Sequence, residues 1–348
     1  MIKPDYHYVH PSFKLNGFHL NEDDLLRIAY TFIKEGEPYE KAVGDFLMYW
    51  FDNSPVIEMH TSGTTGKPKT IAIEKQAMVN SALATGEFFG LEAGIKVLHC
   101  LPTQYVAGKM MLVRAFTLGW DMDLVAPSSH PLERNDTVYD FGAMVPLQAQ
   151  HSLDKLSQVK KLILGGAKVG TPLAEALANV PSEIYETYGM TETITHIAAK
   201  RVGEEAFTVL PHVRISEDDR HCLVIDPYAI CSEPVITNDV VKVTDSRHFI
   251  WLGRYDNVIN SGGVKLFPEQ IEEKLSHKID RRFFVKGEPD EELGEKLVLY
   301  VEGAPFDINP DIFKKLGKFE KPRKILFIEK FTETATGKVM GNKSAATA

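Results

Sequence analysis

Between residues 55 and 190, short apolar runs take turns with stretches of helical periodicity, and this alternation constrains the fold more than any other feature. "PVIEMHTSG", "KVLHCLP", "DMDLVAP", "KKLILGGAKVG" and "SEIYETYGMTET" each hold a strand-length apolar run followed by turn residues. "KQAMVNSALATGEFFG", "KMMLVRAFTLG" and "TPLAEALANV" lie between them and carry apolar residues at helical spacing. Such alternation predicts an α/β architecture with mainly parallel sheets. "NEDDLLRIAYTFIKEG" and "EKAVGDFLMYWF" predict a pair of helices ahead of it. After about residue 205 the texture turns polar and β-rich, with "HCLVIDP", "DVVKVTD" and "HFIWLGR" as strands. A boundary near Gly253 to Asp256 divides the chain into a large N-terminal α/β domain (1–254) and a small C-terminal α+β domain (255–348).

At 348 residues, with 44% hydrophobic and 25% charged content, the chain can bury a substantial core and has the composition of an ordinary globular protein. A net charge of −9 argues against general binding to nucleic acid or anionic membranes. Small phosphorylated ligands in a local basic pocket remain compatible with it. Cys100, Cys222 and Cys231 lack metal or redox spacing, and their odd number argues against a disulfide framework, so a reducing, cytoplasmic setting is expected. The amino terminus has no secretory pattern, and nowhere do eighteen apolar residues run together. No membrane span is expected, and a homo-oligomer stays open.

Residues 60 to 70, "HTSGTTGKPKT", are too poor in large side chains to serve a core. A plain surface loop is one reading. The other is chemical: glycines let a backbone turn its N–H groups toward an anion, hydroxyls add donors and lysines neutralise charge, which together suit a polyphosphate. The P-loop of nucleoside triphosphatases is excluded, since only two residues separate Gly63 from Gly66 and Pro68 follows Lys67.

This run is followed in order by "LPTQYVAG" (101–108), "ILGGAKV" (163–169), "ETYGMTET" (186–193), "TNDVVKV" (237–243), "WLGRYDNVINSGGVKLFPEQIE" (251–272) and "TATGKV" (334–339). From His60 to its end the chain resembles the adenylate-forming superfamily of acyl-CoA synthetases, adenylation domains and luciferases. The resemblance implies ATP, Mg2+ and coenzyme A as cofactor and cosubstrates, a small-molecule carboxylate as substrate, and a C-terminal domain that rotates between two catalytic poses. It implies that Thr61, Ser62, Gly63, Thr64, Thr65, Gly66 and Lys69 embrace the β- and γ-phosphates of ATP; Thr70 stands where a third glycine is usual. Gly165, Gly166 and Ala167 would border the adenine and acyl pockets. In "YGMTE", Tyr188 would stack on adenine with Gly189 beside it, Thr191 would contact the α-phosphate and Glu192 would coordinate Mg2+, consistent with a hard cation shared between one carboxylate and phosphate oxygens. Asp239 would bind the ribose hydroxyls, with Asn238 replacing the usual glycine before it, and Arg254 would also reach the ribose. Asp256 takes the hinge position. Gly262 and Gly263 would flank the CoA tunnel, and Lys338 would reach the acyl carboxylate and α-phosphate as the mobile lysine of adenylation.

Within the superfamily, the shortness of the chain ahead of the glycine-rich loop and the strings "LPTQYVAGKMMLVRA", "AMVPLQAQ" and "ETYGMTETITHIAAKR" look most like the o-succinylbenzoate–CoA ligases of menaquinone biosynthesis. An aromatic dicarboxylate needs apolar walls with polar or cationic groups for its second carboxylate, and Lys109, Thr195 and His196 are the candidates, with Tyr105 in the place of a histidine gate. A CoA ligase for another aryl acid, a domain loading a carrier protein and a non-catalytic nucleotide-binding module are the alternatives. Retention of Glu192, Asp239, Arg254 and Lys338 together argues against the last.

Overall fold

A computed structural model describes residues 4–60, 70–231 and 233–332. Two short strands, β1 (Lys14–Leu15) and β2 (Phe18–His19), precede the predicted helix pair α1 (Glu22–Glu35) and α2 (Pro38–Trp50). Local side chains satisfy the first turns of both helices. Asn21 and Asp24 form a reciprocal capping box, and Pro38 occupies the first turn of α2, where its missing N–H costs nothing. β3 (Val56–His60) and β4 (Thr70–Glu74) pair antiparallel on either side of the glycine-rich run. α3 (Lys75–Phe89), β5 (Lys96–His99), α4 (Val106–Leu118) and β6 (Asp121–Leu124) follow. Both α3 and α4 stop at left-handed glycines, Gly90 and Gly119. Next come β7 (Tyr139–Met144), α5 (Pro146–Gln150), β8 (Val159–Leu164), α6 (Thr171–Leu177) and β9 (Glu183–Gly189). β10 (His196–Arg201), β11 (Ala206–Val209), β12 (Arg214–Glu217), β13 (Cys222–Asp226), β14 (Val235–Asp245) and β15 (His248–Arg254) are consecutive strands without an intervening α-helix.

The expectation of mainly parallel sheets is half met. Strands β9-β8-β7-β5-β6-β1 are parallel, as the helix-separated segments require, but the polar β-rich stretch extends that same sheet antiparallel in the order β12-β13-β14-β15-β11-β10. Short connections without helices can only turn a strand back beside its neighbour, so the sheet changes character at β9/β10. β7 and β10 to β12 are strands that the sequence reading did not single out.

Chain direction leaves the large sheet at Arg254. After a single turn at Tyr255–Asn257 a second sheet begins, with β16 (Ile259–Ser261), β17 (Val264–Leu266), β18 (Phe283–Asp290), β19 (Gly294–Glu302) and β20 (Lys324–Ile328). It packs on α7 (Pro268–Leu275) around Ile259, Ile271, Leu275, Leu297 and Leu299, a core separate from the one that holds Trp50, Phe116, Trp120 and Phe141.

Candidate active site

The C-terminal end of β9 meets β14 and β15 at a cavity of about 840 Å³. Gly166, Ala167, Tyr188, Gly189 and Asp239, all predicted on the sequence, line it together with Trp251. Gly166 turns the chain with φ +81° after β8, which a side chain would resist. Gly189 is required for a different reason: a Cβ there would collide with the backbone of Thr195 and His196 at the start of β10.

Asp239 is almost fully buried, yet well provided for. Its Oδ2 accepts a hydrogen bond from the Tyr188 hydroxyl (2.7 Å), its Oδ1 accepts one from the Trp251 indole (3.1 Å), and Arg254 Nη1 lies 3.6 Å from Oδ1. Burial, then the Asp239 charge and hydrogen bond, raise the Tyr188 hydroxyl above an ordinary phenol, so it stays a donor. A carboxylate has about four acceptor sites, and two remain for further donors. Arg254 also approaches Asp256 at 3.7 Å, and Asn238 Nδ2 donates to Asp256 Oδ2 at 3.5 Å.

Thr191 and Glu192 form a short 3₁₀ turn, Thr191–Thr193, with Glu192 exposed. The chain leaves this turn through Ile194, a buried β-branched residue at φ +66°, ψ −55°, where the Thr195 N–H bonds back to the Thr193 carbonyl at 2.7 Å. Such a γ-turn is rare and strained. It delivers Thr195 and His196 into the interior.

There they meet a group that the sequence reading passed over. Arg114, on α4, is 2% exposed. Its Nη2 reaches Thr195 Oγ1 (3.2 Å) and His196 Nδ1 (3.4 Å), its Nε reaches Thr85 Oγ1 (3.3 Å), and its Nη1 lies 3.8 Å from the Met111 sulfur. All of these acceptors are neutral, and among the described residues no carboxylate pairs with it. Burial pulls the guanidinium down to about 9, still charged at neutral pH, while burial and Arg114 hold His196 well below its ordinary value and therefore neutral. The only signal in the sequence was an arginine inside the apolar string "MMLVRAF". Lys109, five residues earlier on α4, is not brought to this cluster. Its Nζ donates to the Gln104 carbonyl at 2.9 Å, on a different face of the helix. Tyr105 is exposed at the helix start.

Gly165 follows β8, where an added Cβ would meet the Thr187 hydroxyl at 2.9 Å. Gly262 and Gly263 make the left-handed turn between β16 and β17 and do not line the cavity; its C-terminal wall is α7, through Gln270, Glu273 and Lys274. Thr61, Ser62, Gly63, Thr64, Thr65, Gly66, Lys69 and Lys338 lie outside the described residues. Among the described residues no helix is long and apolar enough to cross a membrane.

The AMP-binding enzyme family model matches residues 49–227, about half of the chain, and the chain belongs to that family. It is 26% identical to the 2-succinylbenzoate–CoA ligase of Bacillus cytotoxicus over 331 residues, an alignment that covers 81% of this chain and 68% of that protein. Among solved structures, an acyl-CoA synthetase (AMP-forming)/AMP-acid ligase II-like protein from Dyadobacter fermentans is 35% identical, with 90% of this chain and 95% of that one covered and a TM-score of 0.63. The o-succinylbenzoate coenzyme A synthetase (MenE) of Bacillus subtilis, solved with ATP and a magnesium ion, shares the fold at 21% identity and a TM-score of 0.68, covering 81% of this chain and 68% of that one.

Proposed function

We propose that the chain is an AMP-forming acid–CoA ligase of a reducing, cytoplasmic compartment whose acid carries a second carboxylate, with o-succinylbenzoate as substrate and o-succinylbenzoyl-CoA, a menaquinone precursor, as product. Arg114 is the observation that carries this reading. A buried cation with only neutral partners is costly, and a ligand carboxylate arriving there supplies the missing charge and charge-assisted hydrogen bonds. The names of the curated relatives point to the same acid.

The reaction has two steps. The acid's reacting carboxylate attacks the α-phosphorus of ATP, giving acyl-adenylate and pyrophosphate; the CoA thiol then attacks the acyl carbonyl, its proton is lost and AMP leaves. Neither step needs a protein nucleophile, so the chain acts by placement and charge. Tyr188, Gly166 and Ala167 shape the adenine site, and Asp239 accepts from the ribose hydroxyls through its two spare positions. The residues of the glycine-rich loop enclose the distal phosphates, and Lys338 stabilises charge that develops as the carboxylate attacks. Glu192 would hold Mg2+: among the described residues no group of three His, Cys, Asp or Glu could form a protein cage, and one exposed carboxylate on a turn fits an ion that keeps its waters and shares phosphate oxygens. When bound, the ion neutralises phosphate charge. The C-terminal unit, from residue 255, turns about Asp256 between the steps.

Purified protein incubated with Mg-ATP, CoA and o-succinylbenzoate should release pyrophosphate and form a thioester detectable by mass, with monocarboxylic benzoates turned over poorly. Efficient turnover of benzoates would move the specificity to another aryl acid. Transfer only to a phosphopantetheinylated protein would make it a loading domain, and no pyrophosphate with any acid would favour a nucleotide-binding module.

A further inference from the structure

The turn that joins the two sheets is held by a carboxylate that the reaction as described does not use. Glu269 lies in the first turn of α7, on the C-terminal unit. Its Oε1 accepts the side-chain N–H of Asn257 at 2.6 Å and the backbone N–H of Arg254 at 3.4 Å. One oxygen thus bridges Tyr255 and Asp256, with the last residue of the large sheet on one side and the first residue past the hinge on the other. Among the described residues Oε2 is buried without a hydrogen-bond partner, and it rests against Gly253, where any Cβ would run into it.

Both halves of this carboxylate matter. Oε1 links the two sides of the turn, so backbone rotation at Asp256 cannot proceed far without giving up one of its bonds. Desolvation of Oε2 makes the clasp weak overall, because a buried polar oxygen without a hydrogen bond offsets what Oε1 contributes. A contact that holds one pose at little net free energy is what a bistable element requires. The pose it holds has α7 against the nucleotide cavity and keeps Gly262 and Gly263 out of it.

We propose that Glu269 is a positioning residue that clasps both sides of the Asp256 hinge and sets the balance between the two poses of the C-terminal unit, holding it away from the pose in which the Gly262–Gly263 turn faces the thioester site. The catalytic consequence rests on the two-step reading above; the clasp itself can be read without it. In the full-length protein, Glu269→Ala should raise backbone hydrogen exchange across residues 254–258 by about tenfold. It should also raise the ratio of thioester formation, from CoA and synthetic o-succinylbenzoyl-AMP, to adenylation, from Mg-ATP and o-succinylbenzoate, by about fivefold. Glu269→Gln keeps one acceptor oxygen and should shift both readings less. The exposed Asn257→Ala should shift both in the same direction and carries the test if Glu269→Ala does not fold. Unchanged exchange, or equal loss in both half-reactions, would overturn the proposal. If the wild type releases no pyrophosphate with any acid, the ligase reading fails, and hydrogen exchange alone then decides whether the clasp exists.

Discussion

Asp239 and Arg114 are both almost fully removed from water, at 6% and 2% exposure, and the fold treats them in opposite ways. The aspartate is met by a phenol, an indole and a guanidinium. The arginine is met by hydroxyls, a neutral imidazole and a sulfur. Burying an ion is costly unless it is paired, so the first site is balanced before anything binds and the second is not. The difference separates a carboxylate whose charge the fold already balances from a cation that it leaves without an opposite charge among the described residues.

Removing the cation tests that contrast most severely. Arg114→Met should reduce kcat/KM for o-succinylbenzoate by about 100- to 1000-fold, the equivalent of roughly 3–4 kcal/mol for a lost buried carboxylate pair, and leave thermal stability unchanged or higher. A variant that unfolds while the substrate constants of the surviving fraction stay normal would make Arg114 structural and dissolve the comparison. Asp239→Ala should behave in the reverse manner. Stranding the Tyr188 hydroxyl and the Trp251 indole should cost about 2–4 kcal/mol in chemical denaturation, with KM for ATP raised.

A half-buried carboxyl sharpens the picture, because it is managed by proton uptake. Glu272 on α7 accepts the Val285 N–H at 2.8 Å, but burial, aided by Glu269, pushes its carboxyl up from 4.5 to about 7. With the folded value raised, its stabilising contribution is complete below pH 4.5 and is lost as pH rises through about 7. Wild-type stability should therefore fall by about 2–3 kcal/mol between pH 5 and 8 from this group, and Glu272→Gln should flatten the profile. The smallest effect belongs to an ion pair left in water. Lys168 Nζ lies 2.8 Å from Glu273 Oε2 with both side chains nearly half exposed, so a double-mutant cycle should return no more than about 0.5–1 kcal/mol, less at high salt.

The sequence determined the order of helices and strands around the site, because capping residues, glycine stops and apolar periodicity act over a few neighbours. In the structure Asn21, Pro38, Gly90 and Gly119 mark helix ends. It also placed Tyr188, Gly189, Gly166, Ala167 and Asp239 in one family of motifs, and the fold brings those five to one cavity. Only the tertiary structure decided that β10 to β15 prolong the first sheet, since pairing such as Ala206 with Ile250 depends on which edge is free after the chain has turned. It alone decided the fate of Arg114 as well. α4 is apolar on nearly every face, so periodicity cannot say where its arginine points, and whether a buried charge meets an opposite one depends on residues 29 to 82 positions away. Local chemistry writes the elements and the turns, but charge balance is a property of the packed interior.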